Sequence, residues 1–353
     1  MTSDSGPMRV LLRTDAGVTQ GTGHFMRCLT LAEGLRARGH HVEIMTGPLS
    51  IGWLRDLVFR TGLIVHECQS GHVSATEIMR LDPDWVVVDS YQFRAAEVSS
   101  LNHTVPVLAI VDGDTRSIEA SLYLDHNLGA EDREWPGIAA DRMMVGSEYA
   151  LVRDGVLAER REEPWRFRGT VPSVLCFMGG TDPTEASVWV AQSLGTSTFD
   201  FEFTIVAPLD QHEGLSRVLG ARKKVQLIAP TLRLPELLGR ADVILSAAGT
   251  SAWDTCTLGV PAVLVAVVEN QRASLREAQD RGLVLGIDAV VTDGHVGENP
   301  RSLVERLIND AGLRRQLSNR CLSSFDGNGK ERVVQRMEAY SGSSISVRPG
   351  FDL

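Results

Sequence analysis

Residues 8–24 of the chain are MRVLLRTDAGVTQGTGH. The apolar run at residues 8–13 predicts a buried β-strand, and the helical spacing of apolar residues from 24 to 37 predicts a helix. A glycine-bearing loop joins the two. A strand followed by such a loop and a helix is typical of the start of a parallel α/β sheet.

The same alternation continues along the chain in two series. Apolar runs predict further strands at residues 41–45, 85–89, 107–112, 174–178, 203–206, 225–228, 243–246 and 262–267. The polar stretch at 158–169, AERREEPWRFRG, separates the series. We therefore expect two Rossmann-like α/β domains, at residues 1–160 and 170–335, and a flexible tail at 336–353.

Composition narrows the classes of function. The 353 residues exceed the size at which a single core usually keeps growing. A net charge of −10 without a run of Lys or Arg argues against nucleic-acid binding. The five cysteines are scattered and lack CxxC spacing, which indicates reduced thiols. No apolar run reaches the ~20 residues of a membrane span, and no signal-peptide pattern is present. We expect a cytoplasmic protein, and the composition leaves its oligomeric state open.

The first motif is GTGH at residues 21–24, with Arg27 one helical turn later. Gly23 lets a ligand approach the backbone, and the helix start offers unpaired N–H groups. The helix dipole disfavours imidazolium there, so we expect His24 to be a neutral imidazole that takes a proton from water or a hydroxyl. A helix-capping or surface histidine is the alternative. The third glycine of a dinucleotide-binding loop is absent, which disfavours a nicotinamide-dependent oxidoreductase.

Two further motifs follow predicted strands of the second series. They are MGGTDP at residues 178–183 and SAAGTSAWD at residues 246–254. Both patterns predict a strand–helix turn whose free N–H groups hold a diphosphate, with an ordinary capped turn as the alternative. The residues expected to bind the nucleotide and its diphosphate are Gly23, Gly179, Gly180, Thr181, Asp182, Gly249, Thr250, Ser251 and Asp254.

Polar residues also follow two other predicted strands. Glu269, Asn270 and Gln271 lie just past the strand at 262–267, with an ordinary solvated loop as the alternative. Asp112 and Asp114 form an Asp-x-Asp pair, which in one glycosyltransferase fold holds a divalent metal against a diphosphate. That fold has a single domain, whereas this chain shows two series, and helix N-termini can replace the metal. We therefore expect no metal and no cofactor.

Taken together, the motifs resemble those of PseG-type enzymes. These are UDP-sugar hydrolases of pseudaminic acid biosynthesis that are grouped with SpsG-like spore-coat polysaccharide proteins and related in fold to MurG and other GT-B glycosyltransferases. The resemblance covers about residues 8–334. It rests on these runs, in the family's order: GTGHFMRCLTLAEGL, VVVDSY, LDHN, VGSEYALVR, FMGGTDP, AAGTSAWDTCTLGVPAV, ENQ and FDGNGKERVV.

The resemblance implies a GT-B fold, with two Rossmann-like domains facing a central cleft and the nucleotide held mainly by the C-terminal domain. It implies hydrolysis of a nucleotide-sugar, with UDP as the expected nucleotide, by cleavage of the sugar C1–O bond with inversion. The implied base is His24, and Tyr91 and Asn270 are the other implied catalytic residues. The remaining residues expected to contact substrate are Arg27, Asp89 and Gln271.

The sequence departs from the family at two points. Asp254 stands where the family usually has Glu, and Asp112-Gly113 stands where it usually has a pair of Asp residues. The resemblance is therefore weaker in the half of the site that is implied to face the sugar. A glycosyltransferase that moves the sugar to an acceptor hydroxyl is the main alternative, and a nucleotide-sugar binding protein without turnover is another.

Overall fold

The computed structural model describes residues 6–18, 21–68, 73–160, 167, 169–220, 222–290 and 298–340. They group into two compact units. Within the described ranges, the first unit contains residues 6–17, 24–151 and 328–340, and the second contains residues 18, 21–23 and 152–327. Each unit is built on one parallel β-sheet.

The first unit has a seven-stranded sheet whose strand order is β3-β2-β1-β4-β5-β6-β7. All neighbouring strands in it are parallel. The strands are β1 (Arg9–Thr14), β2 (His41–Thr46), β3 (Ile64–Glu67), β4 (Trp85–Asp89), β5 (Val107–Ile110), β6 (Leu122–Asp125) and β7 (Met143–Val145).

The second unit has a six-stranded parallel sheet with the order β10-β9-β8-β11-β12-β13. Counted within the unit this is 3-2-1-4-5-6, the order of the Rossmann fold. The strands are β8 (Ser173–Phe177), β9 (Glu202–Val206), β10 (Val225–Ile228), β11 (Val243–Ala247), β12 (Ala262–Ala266) and β13 (Leu285–Asp288).

Helices connect most of the strands, as parallel pairing requires. They are α1 (Gly23–Ala37), α2 (Gly52–Thr61), α3 (Ala75–Met79), α4 (Ala95–Asn102), α5 (Asp154–Leu157), α6 (Ala186–Gly195), α7 (His212–Leu219), α8 (Leu234–Arg240), α9 (Ser251–Leu258), α10 (Arg272–Asp280), α11 (Pro300–Asn309), α12 (Ala311–Ser324) and α13 (Gly329–Glu338). Across the described ranges, none of these helices combines the length and apolar character that crossing a membrane requires.

The first sheet is apolar on both faces, because alternate residues of a strand point to opposite sides. On β1, Val10 and Leu12 pack into one cluster with α1 and α2, whereas Leu11 packs into the other with residues of α3 and α4. The continuous apolar runs of the sequence therefore reflect strands that are covered on both sides. The two-domain α/β architecture expected from the sequence is confirmed.

The last described helix, α13, lies in the first unit rather than the second. Its residues Val333, Val334 and Met337 are buried in the cluster that contains β1 and α1. This differs from the expected second domain at 170–335 and from a tail that starts at residue 336. An apolar helix face does not encode which of two cores it joins. Most of the expected linker at 158–169, and the tail beyond residue 340, lie outside the described residues.

Candidate active site

In both sheets, the motifs of the sequence follow the two central strands at which the strand order reverses. In the first unit these are β1, which is followed by His24, and β4, which ends at Asp89 and is followed by Ser90 and Tyr91. In the second unit they are β8 and β11. Ligands of open parallel sheets bind beyond the carboxyl ends of the strands at this reversal point.

His24 and Asp89 form a side-chain pair in the first unit. Nδ1 of His24 lies 2.7 Å from Oδ1 of Asp89. His24 lies in the first turn of α1 and is partly exposed, whereas Asp89 ends β4 and is buried. Because an ionised carboxylate can only accept, the proton of a neutral His24 belongs on Nδ1, and Nε2 is then the basic nitrogen.

Arg27 joins two carboxylates rather than facing open space. Its Nε and Nη2 donate to Asp89, and its Nη1 and Nη2 donate to Asp112. Both hydrogens of Nη2 are thus used, although His24 Nδ1 is 3.0 Å away. Only 4% of the Arg27 side chain is exposed. The Arg27 guanidinium is therefore bonded to these two carboxylates, and the substrate contact expected from the sequence stays a prediction.

Asp112 is the second carboxylate of this cluster and follows β5. Its oxygens accept hydrogen bonds from Arg27, from Nδ2 of Asn127 at 3.0 Å and from the hydroxyl of Tyr91 at 2.9 Å. Asn127 also donates to Asp125 at the end of β6. From the sequence, Asp112 was considered as a metal ligand and as a departure from the family's pair of Asp residues. Asn127 was not singled out, although it ends the matching LDHN run. Within the described residues, no group of three or more His, Cys, Asp or Glu side chains is placed to hold a metal ion.

The charges of the cluster are fixed by Arg27. Burial by itself raises the pKa of Asp89 and of Asp112, because a desolvated carboxylate is costly. The nearby Arg27 guanidinium reverses this effect in both cases. The pKa of Asp89 is lowered, and that of Asp112 lies well below its ordinary value. Both groups are therefore carboxylates at neutral pH.

The turn that carries Tyr91 is fixed by its neighbour Ser90. The Ser90 hydroxyl donates to Asp15, whose other oxygen accepts from Arg13 at 2.6 Å. The same hydroxyl accepts the backbone N–H groups that follow the turn. Arg116 donates to the carbonyl of Ser90 and places its guanidinium 4.6 Å from the centroid of the Tyr91 ring. Tyr91 is thus held firmly although half of it is exposed.

In the second unit, the motif after β8 does not leave its acidic residue free for a ligand. Asp182 is 1% exposed, and its two oxygens accept the N–H groups of Ala186 and Ser187 at 2.9 Å each. It therefore caps α6, and this differs from the diphosphate contact expected from the sequence. Gly179, Gly180 and Thr181 precede it, and Gly179 has a φ of +97°, which a residue with a Cβ rarely adopts.

The motif after β11 leaves its helix N-terminus uncapped. Gly249, Thr250 and Ser251 lie at the start of α9, where Thr250 makes no side-chain capping hydrogen bond to any described residue. A Cβ placed on Gly23 would come within 3.1 Å of Thr250 Oγ1, so these two predicted diphosphate residues lie together. The N–H groups of Ala252 and Trp253 donate to the carbonyls of Gly249 and Thr250, so the N–H groups that precede them are the ones that a diphosphate would meet.

Asp254 lies one turn into α9 and is buried. It pairs with Arg153, whose Nη2 is 2.8 Å from Asp254 Oδ2. Burial raises the pKa of Asp254, and Arg153 only partly offsets this. Arg153 was not predicted individually, although it ends the VGSEYALVR run.

Asn270 and Gln271 lie in the 3-10 turn Glu269–Gln271 after β12. Asn270 is exposed. Gln271 accepts the N–H of Val267 through Oε1 at 2.9 Å, and its Nε2 lies beside Gly249. The structure therefore brings Gln271 to the α9 motif of the second unit.

The chain matches no protein-family model. It is 23% identical over 336 residues to the spore coat polysaccharide biosynthesis protein SpsG of Bacillus subtilis, covering 93% of this chain and 97% of that protein. It is also 23% identical over 322 residues to an uncharacterised protein of Methanocaldococcus jannaschii. That match covers 86% of this chain, which spans only 66% of the relative's length.

Solved structures share the fold. MurG of Acinetobacter baumannii has a TM-score of 0.58 at 17% identity, covering 93% of this chain and 99% of that one. The spinosyn rhamnosyltransferase SpnG, complexed with thymidine diphosphate, has a TM-score of 0.64 at 15% identity, covering 94% and 100%. The fold is therefore the GT-B fold of glycosyltransferases.

Proposed function

We propose that this chain is a nucleotide-sugar enzyme that transfers the sugar to an oxygen nucleophile, with an acceptor hydroxyl as the favoured nucleophile. The observation that carries the proposal is the His24–Asp89 pair beyond the central strands of the first sheet. The GT-B fold and the complex of SpnG with thymidine diphosphate support it. The biosynthetic name of the Bacillus subtilis relative also supports it.

In the proposed reaction, Nε2 of His24 takes the proton of the nucleophile's O–H group. The nucleophile's oxygen bonds to C1 of the sugar while the bond from C1 to the diphosphate oxygen breaks. The electron pair of that bond leaves with the nucleoside diphosphate. A single displacement of this kind inverts the anomeric centre. The His24–Asp89 pair holds the imidazole in the tautomer that this step requires.

We assign the departing diphosphate to the N-terminus of α9. No side-chain cap from Thr250 covers this end, whereas in α6 the N–H groups of Ala186 and Ser187 are bonded to Asp182. Thr250 and Ser251 add hydroxyl donors, and the dipole of α9 favours the developing negative charge. Asp254 would accept hydrogen bonds from the ribose hydroxyls. Asn270 would contact the sugar.

Hydrolysis is the second candidate, because the GTGH, VVVDSY and MGGTDP runs resemble those of sugar-nucleotide hydrolases. Water then replaces the acceptor hydroxyl, and His24 keeps its role. The two candidates differ only in the nucleophile.

The test is incubation with UDP- and thymidine diphosphate-sugars, with and without acceptor alcohols, while nucleotide release is followed. Release that needs an acceptor supports transfer. Release without one, with ¹⁸O from labelled water entering the sugar, supports hydrolysis. Label in the nucleotide would contradict attack at C1. His24→Ala should lower turnover about 10²–10⁴-fold with nucleotide affinity unchanged, whereas His103→Ala, on an exposed helix end, should have no effect.

A further inference from the structure

Tyr91 is half exposed, and yet its hydroxyl is already committed. The residue is 54% exposed, but its Oη donates to Oδ2 of Asp112 at 2.9 Å. Its ring lies nearly perpendicular to that of His24, with 4.8 Å between the centroids. The Tyr91 ring therefore lies against the ring of the proposed base, His24.

The direction of this hydrogen bond follows from the state of Asp112. Arg27 donates to both oxygens of Asp112, and Asn127 donates to Oδ1. An ionised carboxylate surrounded in this way can only accept. A phenol has one hydrogen, so the hydrogen of Tyr91 is directed to Asp112. Only lone pairs of the Tyr91 oxygen remain for a ligand.

We propose that Tyr91 acts as a hydrogen-bond acceptor for an O–H group of the substrate or of water, and that Asp112 is the positioning residue that sets this polarity. The proposal rests on the proposed function. It excludes a phosphate or carboxylate at this position, because such groups can only accept. It also distinguishes nucleophiles. An alcohol has one O–H, which must go to His24, so Tyr91 then binds another hydroxyl of the sugar. Water has two O–H groups and can serve both residues.

Asp112→Asn tests the direction of the hydrogen bond between Tyr91 and residue 112, because the two side chains have nearly the same shape. The Asn amide can turn its NH₂ group toward Tyr91, which frees the phenol hydrogen to point outward and makes Tyr91 a donor. Asp112→Asn and Tyr91→Phe should each lower kcat/KM about tenfold, the effect of one neutral hydrogen bond. The double variant should be no worse than either single variant. Tyr149→Phe and Asp141→Asn, both in the first unit, are the matched controls.

Substrate analogues identify the donor. If Tyr91 binds a sugar hydroxyl, the unaltered enzyme should have a kcat/KM about tenfold lower for the analogue that lacks this hydroxyl than for the parent substrate. Tyr91→Phe should not lower the kcat/KM for that analogue any further. If every deoxy analogue still shows the Tyr91→Phe loss, the donor is water. Full activity of Tyr91→Phe, or a tenfold loss with Tyr91→Phe but none with Asp112→Asn, overturns the proposal.

A second readout does not depend on turnover. Burial and the Asp112 carboxylate both raise the pKa of Tyr91. In alkaline titrations followed by phenolate absorbance, with Tyr91→Phe as the reference, the Tyr91 phenol should ionise at a lower pH in Asp112→Asn. If no nucleotide-sugar is turned over but this shift is observed, the proposed function fails and the geometry stands. An unchanged titration overturns the inference itself.

Discussion

Nδ1 of His24 and Oδ1 of Asp89 are 2.7 Å apart and connect the first turn of α1 to the end of β4. Asp89→Asn should disrupt the tautomer, because the amide NH₂ can donate to Nδ1 and move the imidazole proton to Nε2. We expect turnover to fall about 10²–10⁴-fold with nucleotide affinity unchanged. Asp84→Asn is the control, since Asp84 lies at the opposite end of β4 and accepts the N–H of Arg9. Full turnover of Asp89→Asn would show that the pair does not set the tautomer.

Arg27→Met should reverse the pH dependence that the cluster gives to stability. In the unaltered protein the pKa values of Asp89 and Asp112 are depressed. The two carboxylates therefore add to the free energy of unfolding above their pKa in the unfolded chain, and this addition is lost as pH falls through their pKa in the folded protein. Without Arg27, burial raises both pKa values, and stability falls as pH rises. Removing one partner of a buried ion pair costs about 3–5 kcal/mol.

Urea unfolding between mildly acidic and neutral pH measures this reversal. Arg27→Met combined with Asp112→Asn should regain part of the stability at neutral pH. A stability that changes with pH in the same way as that of the unaltered protein would show that Arg27 does not hold the two charges.

His126 should contribute a separate pH dependence. It is buried, and its Nδ1 accepts the N–H of Leu151. Burial lowers its pKa from 6.5 to about 4. The contribution of neutral His126 to the free energy of unfolding is therefore fully present above pH 6.5. It falls between pH 6.5 and 4, by on the order of 3 kcal/mol. In His126→Asn the slope of unfolding free energy against pH should decrease, whereas in His103→Asn it should persist. Equal slopes for His126→Asn and the unaltered protein would contradict this.

Gly329 should not tolerate a side chain. A Cβ at this position would collide with the backbone oxygen of Ala150, which cannot move aside as a flexible side chain can. Gly329→Ala should therefore lower the free energy of unfolding by about 1–3 kcal/mol. Gly214→Ala, within α7 and in open space, should instead raise it by about 0.5–1 kcal/mol. Thermal unfolding of both variants distinguishes the steric effect from a general effect of replacing glycine.

Asp254→Asn should weaken the binding of a nucleoside diphosphate by about 1–3 kcal/mol, because a ribose hydroxyl then loses its charged acceptor. Calorimetry with UDP and with thymidine diphosphate measures this loss. Asp280→Asn, at the exposed end of α10, is the matched control. An affinity equal to that of the unaltered protein would remove Asp254 from the proposed nucleotide site.

The sequence predicted the strands and the loops that follow them better than the contacts of individual side chains. The strands at 85–89 and 225–228 have the predicted bounds, because a buried strand is a local property of apolar residues. The role of Arg27 was not predictable, since it depends on β4 and β5 being neighbours, which places Asp89 and Asp112 side by side. The cap formed by Asp182 was weighed as an alternative, and the pattern alone could not decide it.

The position of α13 has a consequence for synthesis on the ribosome. Domains usually fold in order from the N-terminus as the chain emerges. Here the core around β1 lacks Val333, Val334 and Met337 until α13 has been made, whereas residues 152–327 are complete earlier. All residues of the second unit are therefore synthesised before the first unit is complete. Until then, the apolar surface that α13 will cover stays exposed in the first unit. Chaperones that bind nascent chains have a defined interval in which to act on it.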